Sequence, residues 1–266
     1  MSQIIKYYKK FLIHNFFYFP IWILRIIFPQ IRTKIRGSKI DFQSYAYIRL
    51  NPESTLYKIQ NKDLPKIRKV IERNKINSKL SLRPNKIVLT KDHYVFNKHK
   101  NDQMLLREYI PNKVDSDKII LFFHGGGWTI DSVETYDDMV KYFSDYLNIK
   151  IYSFEYSLAP EKKFPNALME AENIYKWFIN NGTPANQISL FGDSAGAHMV
   201  GSLVYKLAKQ DSEMPNSLLM LYPPCDPLFR SESISLLKDK YFLLHADLAW
   251  FWDKFKQNKA DENDPM

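Results

Sequence analysis

Apolar residues along this chain change their spacing several times, and each change marks an element. The clearest early pattern is LPKIRKVIERNKI, where Leu64, Ile67, Ile71 and Ile76 fall on one helical face. The residues around it, 41–80, are mixed in character and read as helical. Beyond Arg83-Pro84 the period shortens. KIVLT (86–90) and QMLLREYI (103–110) predict strands, the second stopped by Pro111. His93 and His99 fall between them in a polar, lysine-rich stretch that reads as a solvated loop. KIILFF (118–123), IKIYSF (149–154) and QISLF (187–191) are apolar runs of the kind that buried strands show, and SLLMLYP (217–223) is a fourth apolar strand. Helical patterns separate them. Tyr136, Val140, Phe143 and Leu147 make one; Leu168, Ala171, Ile174, Tyr175 and Phe178 make another, with Gly182 just past its end; AGAHMVGSLVYKLAKQ, from Ala195, is the third. Strand and helix alternate with short connections. The fold class is therefore α/β, a mostly parallel sheet with helices on both faces. No internal repeat or low-complexity segment interrupts the pattern.

The 266 residues suffice for one large domain or two small ones, and 45% apolar content supports a real core. A single cysteine, Cys225, excludes an intramolecular disulfide framework and a cysteine-based zinc site; it reads as a small buried residue near a strand end. The net charge of +9 is local. Of 38 basic residues, eight (Lys6, Lys9, Lys10, Arg25, Arg32, Lys34, Arg36 and Lys39) lie in residues 1–40, which hold no acid, leaving 30 against 29 acidic residues elsewhere. The body is thus almost neutral, which argues against a nucleic-acid partner. Between Lys10 and Arg25 run fourteen residues without a full charge, broken by His14, Asn15 and Pro20. That is shorter than the roughly 20 apolar residues of a spanning helix. Basic flanks around Phe, Tyr, Trp, Ile and Leu suit a segment lying at a membrane surface through residues 1–36, while a helix packed on the body and a true span stay open. A cytoplasmic location, peripheral to the inner face of the membrane, is the matching expectation. With no G-x-G-x-x-G, Walker A loop or H-E-x-x-H, neither a cofactor nor a metal is expected.

Two strand ends carry candidate chemistry, since open α/β sheets work at the carboxyl ends of their strands. The first, after KIILFF, reads His124-Gly125-Gly126-Gly127-Trp128. Successive glycines cost backbone entropy, so they mark a tight turn or a close approach to the backbone. The second, after QISLF, reads Gly192-Asp193-Ser194-Ala195-Gly196, a G-x-S-x-G between a strand and a helix. Backbone N–H groups from the glycine loop and Ala195 could converge on an oxyanion beside the Ser194 hydroxyl.

HGGGW, EYSLAPEKKFPNAL and FGDSAGAH, in that order, resemble the hormone-sensitive-lipase-like branch of the α/β-hydrolase fold, a family of carboxylesterases and lipases. The stretch YFLLHADLAWFWDKF extends the match over roughly residues 85–266. The resemblance implies Ser194 as nucleophile, Gly126, Gly127 and Ala195 as oxyanion donors, and His124, Gly125 and Asp193 as supports, acting on a small-molecule ester or acyl substrate. It also implies a hydrolase core at 81–227 and a helical cap from 41–80 and 228–266, with Trp128, Phe229 and Trp250 as pocket lining or as ordinary packing. One departure is Ser157, where the family usually has an arginine that braces the loop.

The other departure is larger. In this fold the acid and then the histidine follow the serine in the chain. The family places them on two further strands, and only 72 residues follow Ser194 here. The expectation is a chain shortened before those strands, with impaired or lost catalysis. Asp226 with His245 would satisfy the order as a substitute pair. An active esterase with a non-standard base or a complementing chain, and a non-catalytic membrane-associated module that binds an acyl ligand, are the alternatives.

Overall fold

The computed structural model describes residues 20–27, 40–50, 56–76, 86–97, 102–238, 241 and 243–266. Of the basic arm, residues 1–40, only 20–27 and 40 fall among these, so Lys6, Lys9, Lys10, Arg32, Lys34, Arg36 and Lys39 lie outside the described residues, as does His99. The helices are α1 (Ile21–Ile27), α2 (Phe42–Leu50), α3 (Leu64–Ile76), α4 (Val133–Leu147), α5 (Asn166–Asn180), α6 (Ala195–Lys209), α7 (Glu232–Leu237) and α8 (His245–Phe255). The strands are β1 (Leu89–Asn97), β2 (Asp102–Ile110), β3 (Ile119–Phe123), β4 (Lys150–Phe154), β5 (Ile188–Asp193) and β6 (Ser217–Leu221). Among the described residues no helix is long and apolar enough to cross a membrane.

The six strands form one sheet in the order β1-β2-β4-β3-β5-β6. β1, β2 and β4 pair antiparallel, whereas β4-β3, β3-β5 and β5-β6 are parallel. Alternation along β3 shows how the layers form, because successive side chains of a strand point to opposite faces. Ile119, Leu121 and Phe123 enter the core under α5, α6 and α8, while Ile120 and Phe122 pack with Val140 and Phe143 of α4. The same two-sided burial explains why β3 reads as an unbroken apolar run.

Two sequence expectations need correction. The first strand runs from Leu89 to Asn97, taking in the stretch expected to be a loop. It pairs with β2 over nine residues of each strand, and His93 Nε2 meets Glu108 Oε2 at 2.9 Å; on an outer strand, polar residues on the open face are compatible with pairing. Cys225 is exposed rather than buried. At the opposite edge of the sheet, Leu218, Leu219 and Leu221 of β6 are 44%, 51% and 37% exposed.

The segments flanking the core meet each other. Tyr57 N–H donates to Asp247 Oδ1 at 3.1 Å and Trp250 Nε1 to Ile59 O at 3.3 Å, so the turn before α3 and helix α8 form one layer.

Candidate active site

The Ser194 turn is built by the crossing of β5 and α6. Ser194 has φ 50° and ψ −120°, a left-handed conformation unusual for a residue with a side chain. Strain of this kind persists where the surroundings over-determine the backbone. Here Ser194 N–H donates to Leu221 O at 2.9 Å, and its own carbonyl accepts from His198 N–H at 3.0 Å to start α6. A Cβ on Gly196 would stand 2.0 Å from the Phe123 carbonyl oxygen, so only glycine lets the start of α6 sit this close to the end of β3. Among the described residues the Ser194 hydroxyl makes no hydrogen bond.

The glycine loop lies beside it. Asp193 reaches across, its Oδ1 accepting from Gly125 N–H at 2.8 Å and its Oδ2 from Tyr136 Oη at 2.9 Å. Burial pushes its carboxyl above the ordinary range, against the opposing pull of those two bonds. Gly126 and Gly127 have φ of 110° and 57°, and Gly126 O accepts from both Thr129 N–H (3.1 Å) and Ile130 N–H (2.9 Å). The N–H groups of Gly126, Gly127 and Ala195 donate to no acceptor among the described residues.

His124 supports the loop from below. Its ring stacks on Tyr156, centroids 4.2 Å apart, and Nδ1 lies 2.7 Å from Gly125 O, while Tyr156 Oη donates to His124 O at 2.8 Å. Complete burial lowers its pKa to about 4, so the ring is neutral at pH 7. Trp128 is buried, stacked on Phe255 at 4.3 Å and near Trp252 at 4.6 Å; it packs under α8. Trp250 is buried as well, and the Phe229 ring lies against His245 at 4.8 Å.

The other titratable candidates make no side-chain hydrogen bond to the serine among the described residues. Asp226 is tied to Arg230, whose Nη2 lies 3.1 Å away, and to the N–H groups of Leu228 and Arg230, which hold its carboxyl below the usual range. His245 opens α8 with its N–H on Lys238 O at 2.8 Å. Among the described residues no hydrogen bond joins Asp226, His245 and Ser194 to one another. His198 turns sideways into an aromatic nest of Trp128, Trp252 and Phe255, at 5.1, 5.4 and 6.0 Å, and burial lowers its pKa to about 4. Among the described residues no group of three His, Cys, Asp or Glu side chains is placed to hold a metal ion.

The loop that lacks an arginine at Ser157 is held by other means. Ser157 donates twice to Glu170, through N–H and Oγ, each at 2.7 Å. Arg68 of α3 reaches the same loop through Ala159 O at 2.6 Å. Sequence reading missed Arg68 because 91 positions separate it from Ala159, and no local pattern signals such a contact.

A mainly parallel sheet with a serine on the sharp turn from a central strand into a helix defines an α/β hydrolase. The family profile described as alpha/beta hydrolase fold matches residues 120–266, and the chain belongs to that family. It is 28% identical over 151 residues to the ethyl acetate hydrolase of Pseudomonas putida, covering 55% of this chain and 48% of that protein. It is 33% identical over 112 residues to human hormone-sensitive lipase, 41% of this chain and 10% of that one, in keeping with the resemblance of the motifs. An alpha/beta hydrolase enzyme from the metagenome of Lake Arreo, Spain, superposes with a TM-score of 0.71 at 21% identity over 80% of this chain and 67% of that one, a likeness of fold. The chain spans about half the length of the ethyl acetate hydrolase that it matches.

Proposed function

We propose that this chain acts on carboxylic esters through Ser194, with the N–H groups of Gly126, Gly127 and Ala195 taking the oxyanion. The observation that carries the reading is the left-handed Ser194 turn lying beside a glycine loop whose donors are unengaged. In the reaction, Ser194 Oγ would bond to the ester carbonyl carbon as its proton passes to a water molecule or a supplied base and then to the departing alkoxy oxygen, and the oxyanion would sit on the three N–H groups. Collapse of that intermediate would expel the alcohol and leave an acyl-serine, which water then hydrolyses. The relatives named an ethyl acetate hydrolase and a hormone-sensitive lipase support an ester as substrate.

The base sets the rate. Loss of the histidine from a serine–histidine–acid site costs ~10⁶ in turnover. With no histidine side chain bonded to the Ser194 hydroxyl among the described residues, slow turnover by this chain alone is the expectation. The test is hydrolysis of p-nitrophenyl acetate beside Ser194→Ala, together with labelling by a fluorophosphonate. Serine-dependent labelling with near-background turnover fits the proposal. Full turnover would show that a base is supplied, and His245→Ala would then test the substitute pair. Absence of both labelling and turnover in folded protein would refute an esterase role.

A further inference from the structure

Helix α3 meets the segment after the glycine loop through a polar stripe. Arg68, Glu72 and Lys75 follow each other at intervals of four and three, so they lie on one face. Arg68 Nε donates to Thr129 O at 2.6 Å and Nη2 to Ala159 O at 2.6 Å. The rest of the guanidinium forks onto Glu161, with Nη1 to Oε1 and Nη2 to Oε2 both at 2.8 Å. Glu72 Oε1 accepts from Ser132 Oγ at 3.2 Å. Lys75 Nζ lies 2.6 Å from Asp131 Oδ1, an ion pair outside hydrogen-bond alignment, and 5.3 Å over the ring of Tyr136. Tyr136 is the residue whose hydroxyl holds Asp193.

These contacts form a closed circuit around the loop. Thr129 N–H bonds to Gly126 O, Ala159 N–H bonds to Trp128 O at 2.8 Å, and Arg68 ties the carbonyls of Thr129 and Ala159 together from outside. Apolar packing would hold the helix against the loop without fixing its peptide planes. Hydrogen bonds to carbonyl oxygens are directional and do fix them. Trp128 and Asp131 both carry positive φ, at 56° and 72°, so this segment has local strain to be held against. A planar guanidinium can bridge two carbonyls and a carboxylate at once, which a lysine cannot.

We propose that Arg68 is the positioning residue of the oxyanion loop. Supported by Glu72 and Lys75, it acts through Thr129 and Ala159 to keep the Gly126 and Gly127 N–H groups aimed at the reacting oxygen. The proposal rests on the reading of those N–H groups as oxyanion donors. It differs from ordinary docking of a helix in that the side-chain fork sets the loop geometry.

The test is hydrogen exchange on the full chain, comparing wild type with Arg68→Met and the gentler Arg68→Lys. Exchange at the Thr129 and Ile130 amides should quicken by about 10-fold or more in both variants, while β3, β5 and α6 keep wild-type protection. Where Ser194 reacts with a fluorophosphonate, the labelling rate should fall about 10-fold with the KM for p-nitrophenyl acetate unchanged. Wild-type exchange at Thr129 and Ile130 in Arg68→Met, or in Arg68→Lys should the methionine variant fail to fold, overturns the proposal. Unchanged labelling despite faster exchange does so too. An unreactive Ser194 in wild type would instead refute the esterase reading, and the exchange result would still decide whether Arg68 sets the loop.

Discussion

Asp193 accepts the Gly125 N–H at 2.8 Å, so the residue just before the candidate nucleophile holds the first glycine of the loop that would bind the oxyanion. The two strand-end motifs lie 68 residues apart in the chain, and this bond, with Tyr136 Oη on the other carboxylate oxygen, joins them into one unit. Asp193→Ala should therefore disturb both. It leaves the buried Gly125 N–H without an acceptor, a loss of about 1–3 kcal/mol. Urea unfolding should show that loss, and fluorophosphonate labelling of Ser194 should slow with it. A variant as stable as wild type would mean that the bond contributes nothing to the fold.

Glycine at 127 is demanded by its surroundings as well as by its φ of 57°. A Cβ there would meet the Phe251 ring at 2.1 Å. Gly127→Ala should thus lower the unfolding free energy by about 2–4 kcal/mol. Phe251→Ala in the same chain opens the space but leaves the left-handed backbone, worth about 1–2 kcal/mol. The double variant should fall short of additivity by about 1–2 kcal/mol in a double-mutant cycle. Strict additivity would show that the ring does not crowd the loop.

Acid should destabilise the protein through its buried histidines. His124 and His198 both have pKa values lowered to about 4 by burial, against about 6.5 in the unfolded chain. The folded state then binds fewer protons, and stability is lost as pH falls from about 6.5 towards 4, by roughly 2–3 kcal/mol per histidine. Glu155 works in the opposite sense. Burial raises its carboxyl to about 7, so its contribution is lost as pH rises from about 4.5 through 7. His198→Phe, which keeps a ring among Trp128, Trp252 and Phe255, should flatten the loss between pH 7 and 4.5, and Glu155→Gln should steepen it. Urea titrations at the two pH values check both signs.

The positions of the two motifs were legible because each is local. HGGGW and GDSAG each follow an apolar strand, and both landed at the ends of β3 and β5. Helix α3 was equally legible, its bounds Leu64–Ile76 matching the sequence pattern. What the sequence hid depends on distant pairing. β1 could be extended through His93 only because β2 lies alongside it, with Leu106 opposite and Glu108, two residues further along β2, as the ring's partner. Cys225 was misjudged because its exposure depends on which elements cover the end of β6, and strand propensity says nothing of that. Arg68 carries no signal in the sequence, because the two backbone carbonyls it meets lie far along the chain.

The outer edge of β6 should govern how the protein behaves in concentrated solution. β6 pairs with β5 on one side and with no strand among the described residues on the other, while Leu218, Leu219, Leu221 and Tyr222 are exposed. Natural sheets guard such edges with charge, proline or a bulge, and none of these stands within Ser217–Leu221. Edge-to-edge pairing would cover both the free backbone groups and the leucines. Leu219→Lys, at the most exposed of the three leucines, should reduce concentration-dependent light scattering. It should leave the thermal midpoint within a few degrees of wild type, since an exposed side chain contributes little to the fold. Scattering that persists unchanged in Leu219→Lys would place the sticky surface elsewhere.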